Sequence, residues 1–182
     1  MKYVLLIFCF LVLAGCNEEV VIKPKALLHL QYPEPVYVSP KLDCPFNFVY
    51  NAQANIKTKD NCWLDIVYPS MKATIHLTYR PVENNIDSLL YDAQKLTYDH
   101  TIKASSIYEQ PRVDSISKVY GMLYMINGNA ATSTQFYVTD SSKHFVTGSL
   151  YFKSKPNFDS ILPAISYIRE DVRRIMETIK WE

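Results

Sequence analysis

Residues 119–152 hold three apolar segments separated by turn sequences, and this stretch constrains the fold more than any other part of the chain. The segments cover residues 119–126, 135–138 and 144–152 and are rich in Val, Tyr and Phe. Asn-Gly and Asp-Ser sequences, which are typical of tight turns, lie between them. Short runs of this composition predict antiparallel strands. Residues 119–126 show no apolar–polar alternation, so we expect both faces of this strand to be buried.

Two amphipathic helices are predicted to flank these strands in sequence. Apolar side chains recur at helical spacing in residues 86–104 and again in residues 161–179. His100 lies on the apolar stripe of the first helix, and we interpret it as a core histidine rather than a ligand. The second helix has a face of mixed charge that includes Arg169 and Asp171, which we interpret as solvated surface.

Three further strands are predicted before the first helix, at residues 44–50, 62–68 and 72–80. In the last of these, alternate residues from Ala73 to Tyr79 would share one face. The whole pattern predicts an α+β fold, with an antiparallel or mixed sheet of about six strands and helices packed on it. The order of elements resembles the sandwich fold of the photosystem accessory protein PsbP, a likeness of fold that carries no function.

The amino terminus has the features of a bacterial lipoprotein signal peptide. Lys2 is followed by an apolar run at residues 3–13, two small residues and then Cys16. The run is shorter than the roughly 20 residues that a spanning helix requires. We therefore predict a signal peptide over residues 1–15 and lipid attachment at Cys16, which would anchor the chain to a membrane of the cell envelope. An ordinary signal peptide with an incidental cysteine is the alternative.

The two residues after the anchor are informative about location only in part. Glu18 and Glu19 resemble the surface-export signal of some Bacteroidetes lipoproteins, and a plain solvated tether explains them equally well. The membrane and the leaflet that carry the anchor therefore stay open.

Residues 16–43 are rich in proline, which fixes φ and removes amide donors, so this segment is predicted to be a lipidated tether rather than a helix. Its second half, from Tyr32 to Tyr37, would lie along the domain as an ordered strap or remain part of a flexible tether. Residues 44–182 are predicted to form one globular domain, for which the length is ample.

Cys44 and Cys62 both stand at the start of predicted strands in a chain predicted to be exported. Because exported proteins fold in an oxidising compartment, we expect a disulfide between them, with two free thiols as the alternative. No His or second Cys lies at ligand spacing beside either cysteine, so no metal site is expected.

Charge and motif content exclude several classes of function. The 19 Lys and Arg nearly balance the 18 Asp and Glu, and no basic run is present, which argues against nucleic-acid binding. Nucleotide-binding, metalloprotease and nucleophile-elbow motifs are absent from the sequence, so we expect no cofactor and no enzymatic activity.

The polar segment from Asn127 to Thr134 is the candidate for a functional loop, with Asn127 and Asn129 as candidate binding residues. It would border a cleft for a small ligand, a lipid or a glycan, or it would simply be a hairpin turn. His76 and His144 are also candidate binding residues, because both lie in predicted strands and could meet in space. A hydrolase whose residues converge only in the fold is a third hypothesis.

Several collinear blocks between about Tyr32 and Trp181 resemble the gliding-motility lipoprotein GldD family of Bacteroidetes. These blocks are residues 44–50, Cys62 and Trp63, 73–77, 100–104, 128–131, 139–141, 148–152 and 168–171. Asp65, Thr78 and Thr132 depart from the Asn, Ser and Ser that we associate with these places in the family.

The resemblance implies an envelope lipoprotein required for gliding and for the type IX secretion apparatus on which gliding depends. It implies a structural or assembly role through contacts with other envelope proteins, and no catalytic residues. Only Cys16 carries over as a functional residue, as the point of lipid attachment.

Overall fold

The structure is a computed structural model that describes residues 30–154 and 157–182. The predicted signal peptide, Cys16 and the first half of the predicted tether lie outside the described residues, so the predictions made for them stay predictions.

The described chain contains two helices and eleven strands, several of them only two residues long. The helices are α1 (Ile86–Tyr98) and α2 (Phe158–Thr178). The strands are β1 (Tyr37–Val38), β2 (Phe46–Asn47), β3 (Tyr50–Asn51), β4 (Asn55–Thr58), β5 (Leu64–Tyr68), β6 (Ala73–Pro81), β7 (Ala104–Asp114), β8 (Val119–Gly128), β9 (Thr132–Thr139), β10 (His144–Phe152) and β11 (Lys180–Trp181).

Seven strands form one sheet in the order β4-β5-β6-β10-β9-β8-β7, and every neighbouring pair is antiparallel. Two small antiparallel pairs, β1 with β3 and β11 with β2, complete the described strand pairing. The α+β class with an antiparallel sheet is therefore confirmed. The specific likeness to PsbP stays a prediction.

One face of the sheet carries the main core and is covered by α2. Alternate residues of β6 from Ala73 to Leu77 are buried on this face, as predicted. They join a cluster with Leu123, Phe136 and Leu150 of the neighbouring strands, and Ile168, Val172 and Ile175 of α2 belong to the same cluster. Each large apolar side chain buried in this way contributes about 1.5–3 kcal/mol, so the contact with α2 is a principal source of stability.

The other face is covered in part by α1. Tyr98 at the end of α1 makes an edge contact with Tyr124, whose ring centroid lies 6.4 Å away. Leu123 and Tyr124 point to opposite faces of β8 and are each only 2% exposed. The prediction that both faces of this strand are buried is therefore confirmed at its centre.

The first helix is shorter than predicted. It ends at Tyr98, a 3₁₀ turn over Asp99–Ile102 follows, and β7 begins at Ala104. Leu96, one of the apolar residues at helical spacing in residues 86–104, is 51% exposed rather than buried. Apolar residues continue at helical spacing beyond Tyr98, so the predicted helix extended past the point where the chain turns back into the sheet. Burial lowers the pKa of His100, which favours the neutral ring at this half-buried position.

Both edges of the sheet were missed by the sequence analysis. β4 and β7 carry mostly exposed polar residues, and β7 contains Pro111. The single strand predicted at residues 44–50 is instead two short strands, β2 and β3, with different partners. The predicted disulfide is present in the structure, where it joins Cys44, ahead of β2, to Cys62, ahead of β5.

Candidate functional site

A buried carboxylate, Asp171 of α2, lies at the centre of a polar cluster that connects distant parts of the described chain. The residue is 1% exposed and accepts three hydrogen bonds. Tyr37 donates its hydroxyl to Oδ1 at 2.8 Å, while Tyr68 and Asn51 donate to Oδ2 at 3.0 Å each. The cluster thus joins α2 to β1, β3 and β5. The prediction that Asp171 belongs to the solvated face of the helix is wrong.

The electrostatics of this cluster follow from burial. Loss of hydration raises the pKa of Asp171, although the three donors favour the charged form. Burial also raises the pKa of Tyr37 and of Tyr68, and the neighbouring carboxylate adds to both shifts. Both tyrosines therefore stay protonated and act as donors.

Asn51 links this carboxylate to a second hydrogen-bonded chain. It is fully buried, and its Nδ2 donates both to Asp171 and to the hydroxyl of Tyr167, the latter at 2.9 Å. The Tyr167 hydroxyl in turn donates to the carbonyl oxygen of Pro33 at 2.8 Å. The backbone N–H of Gln53 donates to the Asn51 side-chain oxygen at 3.0 Å.

Residues 30–43, here called the strap, are fastened to the domain by these contacts. β1 lies in the strap and pairs with β3, and the N–H of Ala52 donates to the carbonyl of Val36 at 2.7 Å. The rings of Tyr32 and Tyr167 lie 4.9 Å apart, and the guanidinium of Arg174 lies 5.2 Å from the centre of the Tyr37 ring. Of the two alternatives for this segment, the structure has the ordered strap. The boundary at residue 44 stays a prediction.

An open groove of about 520 Å³ begins where the described strap begins. Apolar side chains dominate its lining, namely those of Leu30, Met71, Phe152, Ile161 and Ala164. Serines at positions 70, 154 and 160 and the side chain of Lys72 border it. The groove lies between the strap, the β5–β6 turn and the first turns of α2.

A family model described as the gliding motility lipoprotein GldD matches residues 17–181 of the chain. The chain belongs to this family. A search of the curated proteins found no match. The sequence-based resemblance to the GldD family is thereby confirmed over nearly the whole chain, including the strap and the Asp171 cluster.

Membership of the family identifies the chain as a gliding motility lipoprotein, and therefore as a membrane-anchored protein of the cell envelope. No helix in residues 30–154 or 157–182 is long and apolar enough to cross a membrane. Attachment through a lipid on Cys16 stays a prediction, because Cys16 lies outside the described residues.

His76 and His144, predicted as candidate binding residues, are not brought together. Both lie on the paired strands β6 and β10, but His76 is opposite Ser149 whereas His144 is opposite Pro81. His144 stacks on Trp181 with ring centroids 5.3 Å apart and its Nδ1 lies 3.1 Å from the hydroxyl of Tyr79. This histidine packs the carboxyl-terminal strand onto the sheet.

His76 forms a polar pair with Asp65 on the exposed part of the α1-covered face. Its Nδ1 lies 2.6 Å from Asp65 Oδ1, and Lys59 Nζ lies 2.6 Å from Oδ2. Burial disfavours the charged carboxylate, but the bonds from Lys59 and His76 outweigh this and lower the pKa of Asp65.

This pair would need a nucleophile to act as a hydrolytic site. Ser149 faces His76 across the β6–β10 register, yet among the described residues no hydrogen bond joins the two side chains. No group of three His, Cys, Asp or Glu side chains in the described ranges is placed to hold a metal ion.

Asn127 and Asn129 serve the local fold. Asn127 donates from Nδ2 to the hydroxyl of Ser106 at 3.2 Å, and Asn129 Oδ1 accepts the N–H of Phe158 at the start of α2. The cavity beneath this loop has a volume of about 20 Å³, which is room for about one water molecule. The geometry therefore offers no support for the predicted ligand cleft at this loop, and the binding roles of these residues stay predictions.

Asp171, Asn51, Tyr37 and Tyr68 were missed as a site by sequence reasoning. Asp171 stands between Glu170 and Val172, on a helix whose other charged residues are mostly exposed. Arg169 is a second exception to the predicted solvated face, because it is half-buried and donates to Thr134 and Ser133 of β9. One signal was available, because Asp171 follows the apolar residues Ile165 and Ile168 at helical spacing and so projects toward the same side. Its partners lie more than 100 positions away in the sequence, and only the tertiary fold reveals them.

Proposed function

We propose that this chain is a lipid-anchored, non-catalytic structural component of the envelope machinery for gliding, and that it is also required by the type IX secretion apparatus. The observation that carries the proposal is the match to the GldD family over residues 17–181. Its partners are other envelope proteins of the same machinery, and its anchor is a lipid on Cys16.

The geometry supports a structural role through the docked strap. The segment that follows the predicted anchor is fixed to the domain by β-pairing, ring contacts and the buried Asp171 cluster. The domain thereby holds a set orientation relative to the point where the chain leaves for the membrane. An assembly component that docks on other envelope proteins benefits from such an orientation, because it reduces the conformational freedom lost on binding.

The test uses a clean deletion strain complemented with the intact gene, with a Cys16→Ala gene or with a Cys9→Ala gene. Cys9 provides the matched control, since it lies in the apolar run of the predicted signal peptide rather than at its end. Colony spreading and secretion of a type IX cargo protein are scored together, and incorporation of labelled palmitate reports lipidation. Immunoblots confirm that each variant accumulates.

We expect the deletion to abolish both spreading and secretion, with rescue by the intact and Cys9→Ala genes and no rescue or labelling with Cys16→Ala. Normal spreading and secretion in the deletion strain would contradict the role in the machinery. Full rescue by an unlabelled Cys16→Ala protein would contradict the requirement for the anchor.

The non-catalytic part of the proposal has its own test at the Asp65–His76 pair. Complementation with His76→Gln or Ser149→Ala is expected to restore spreading and secretion fully. Loss of either process with a normally accumulating variant would favour the hydrolase hypothesis instead.

A further inference from the structure

The groove lined by Leu30, Met71, Phe152, Ile161 and Ala164 has an apolar lining that nothing in the described chain covers. Leu30 is 44% exposed, and Met71, Phe152 and Ile161 are half-buried. Ile161 is the member of the predicted apolar stripe of α2 that the sheet does not bury, whereas Ile165, one turn later, is fully buried. A concave apolar surface of this kind is typical of a place where a partner binds.

The position of the groove limits what can reach it. Leu30, the first described residue, lines the groove, and the predicted lipid attachment at Cys16 lies 14 positions earlier in the chain. An extended chain spans at most about 3.3–3.6 Å per residue, so this tether keeps the groove within roughly 50 Å of the membrane surface. With the lipid anchor proposed at Cys16, a membrane is the permanent neighbour of this end of the domain.

The rim has the chemistry of a surface that meets lipid. Lys72 borders the groove, and Lys153 lies beside it, since its N–H donates to the carbonyl of Lys72 at 2.8 Å. Both side chains are exposed. Lysines on flexible stems can reach lipid phosphates while apolar side chains beside them enter the acyl region. Asp159 next to the groove carries the opposite charge. The apolar lining, rather than the net charge of the rim, is therefore the main source of attraction to lipid.

We propose that this groove receives an acyl chain of a bilayer lipid, and that the domain thereby rests on the membrane by its strap end. The inference depends on the lipid anchoring in the proposed function, and it adds a second, reversible membrane contact. One acyl chain by itself binds only marginally, so the contact would orient an anchored domain rather than anchor a free one.

The experiment uses the lipidated protein reconstituted into liposomes that contain phosphatidylcholine with a doxyl group on its acyl chain. An environment-sensitive nitrobenzoxadiazole label is placed at Ser160→Cys, on the groove border. The matched control is the same label at Ile116→Cys, in the β7–β8 turn, where the native side chain is 97% exposed. The added cysteine is the labelling site, because Cys44 and Cys62 are joined in a disulfide and Cys16 carries lipid.

We expect doxyl quenching of the label at position 160 to exceed that at position 116 several-fold. Ser70→Asp, a surface substitution on the groove border, and Ile161→Asn, within the lining, should each reduce the difference. If Ile161→Asn does not fold, as judged by circular dichroism, the effect of Ser70→Asp on the difference in quenching is the test.

Equal quenching at the two positions, or none at position 160, would overturn the proposal. Absence of quenching at position 160 would also arise if the apolar residues 26–28 or the protein's own acyl chains fill the groove, because neither carries the doxyl group. Quenching that Ser70→Asp leaves unchanged would overturn it as well. The complementation assay is read independently, so failure of this inference leaves the proposed function standing.

Discussion

At the scale of single residues, Asp171 contributes most through the donors that it satisfies. Its carboxylate accepts from Tyr37, Tyr68 and Asn51, and the last two are at most 1% exposed, so water has little access to replace it. A buried donor left without an acceptor costs about 1–3 kcal/mol. Asp171 is therefore a structural residue that a sequence-based interpretation places on the solvated face of α2.

Asp171→Ala is expected to lower the free energy of unfolding by about 2–4 kcal/mol, because it strands the hydroxyl of Tyr68 and the amide of Asn51. Urea unfolding followed by circular dichroism measures the change. Glu170→Ala, the exposed neighbour, is the control and should cost no more than about 0.5 kcal/mol. Equal losses for the two variants would show that the cluster does not contribute as described.

Asp140, in the β9–β10 turn, is a second carboxylate that contributes to stability, and its contribution depends on pH. Burial works against its charged form, but hydrogen bonds from the N–H groups of Lys143, His144 and Ser142 prevail and lower its pKa to about 2. A depressed carboxylate pKa stabilises the fold above the unfolded-state pKa, and this contribution is lost as the pH falls through the folded-state value.

For Asp140→Asn we expect a stability deficit relative to the native chain that is full above about pH 4 and disappears as the pH approaches about 2. Urea unfolding across this range, with the exposed Glu83→Gln as control, measures it. A deficit that is independent of pH would mean that the charge of Asp140 is not the stabilising feature.

At the scale of elements, the central strands and α2 could be predicted, and the sheet edges could not. β6 and β10 bury alternate residues over part of their length, whereas β8 is buried on both faces at its centre. The alternation in the first two and the continuous apolar run in β8 can both be recognised in the sequence. β7 faces a strand on one side only and carries Glu109, Pro111 and Arg112, residues that protect an edge from further pairing and remove the strand signature.

Even less of the candidate site around Asp171 could be predicted from the sequence. Its donors come from β1, β3 and β5, and the residues of β1 and β3 lie in strands of two residues each, too short for any periodicity. The sequence leaves an ordered strap and a flexible tether as alternatives, since the choice between them depends on Tyr37 reaching Asp171 across 134 positions. The cysteine pair was predictable because compartment and chemistry, rather than periodicity, indicated it.

Tyr37→Phe is expected to loosen the strap without unfolding the domain, because it removes one hydrogen bond, worth about 1 kcal/mol, and leaves the ring in place. Hydrogen–deuterium exchange should become faster at Ala52, whose N–H pairs with Val36, while β6 and β10 stay protected. Tyr91→Phe, on the exposed surface of α1, is the control. Unchanged exchange at Ala52 would contradict the role of Tyr37 as a fastener.

At the scale of the whole molecule, the disulfide ties the amino-terminal part of the domain to the main sheet. Cys44 and Cys62 are 18 positions apart, and closing a loop of this size stabilises by about 3 kcal/mol in the chain-entropy model. It also holds β2 near β5, and β2 in turn pairs with β11 at the carboxyl end.

Reduction with dithiothreitol is accordingly expected to lower the urea midpoint of the native chain by an amount equivalent to about 3 kcal/mol. The double variant Cys44→Ser/Cys62→Ser should show this lower midpoint at the outset and no further response to reductant. A native midpoint insensitive to complete reduction would contradict the stabilising role of the bond.

The docked strap has a mechanical consequence in a motility system. With the lipid anchor that we propose at Cys16, any pull between the membrane and the domain enters through residues 30–43. The first interactions to bear this load are the two-residue pairing of β1 with β3 and the hydroxyl bonds of Tyr37 and Tyr167. These are few in comparison with the long β6–β10 pairing behind them. The strap would therefore peel away before the sheet yields, extending the linkage by up to about 3.5 Å for each residue released. Its release would limit the force that reaches the sheet and leave the fold intact.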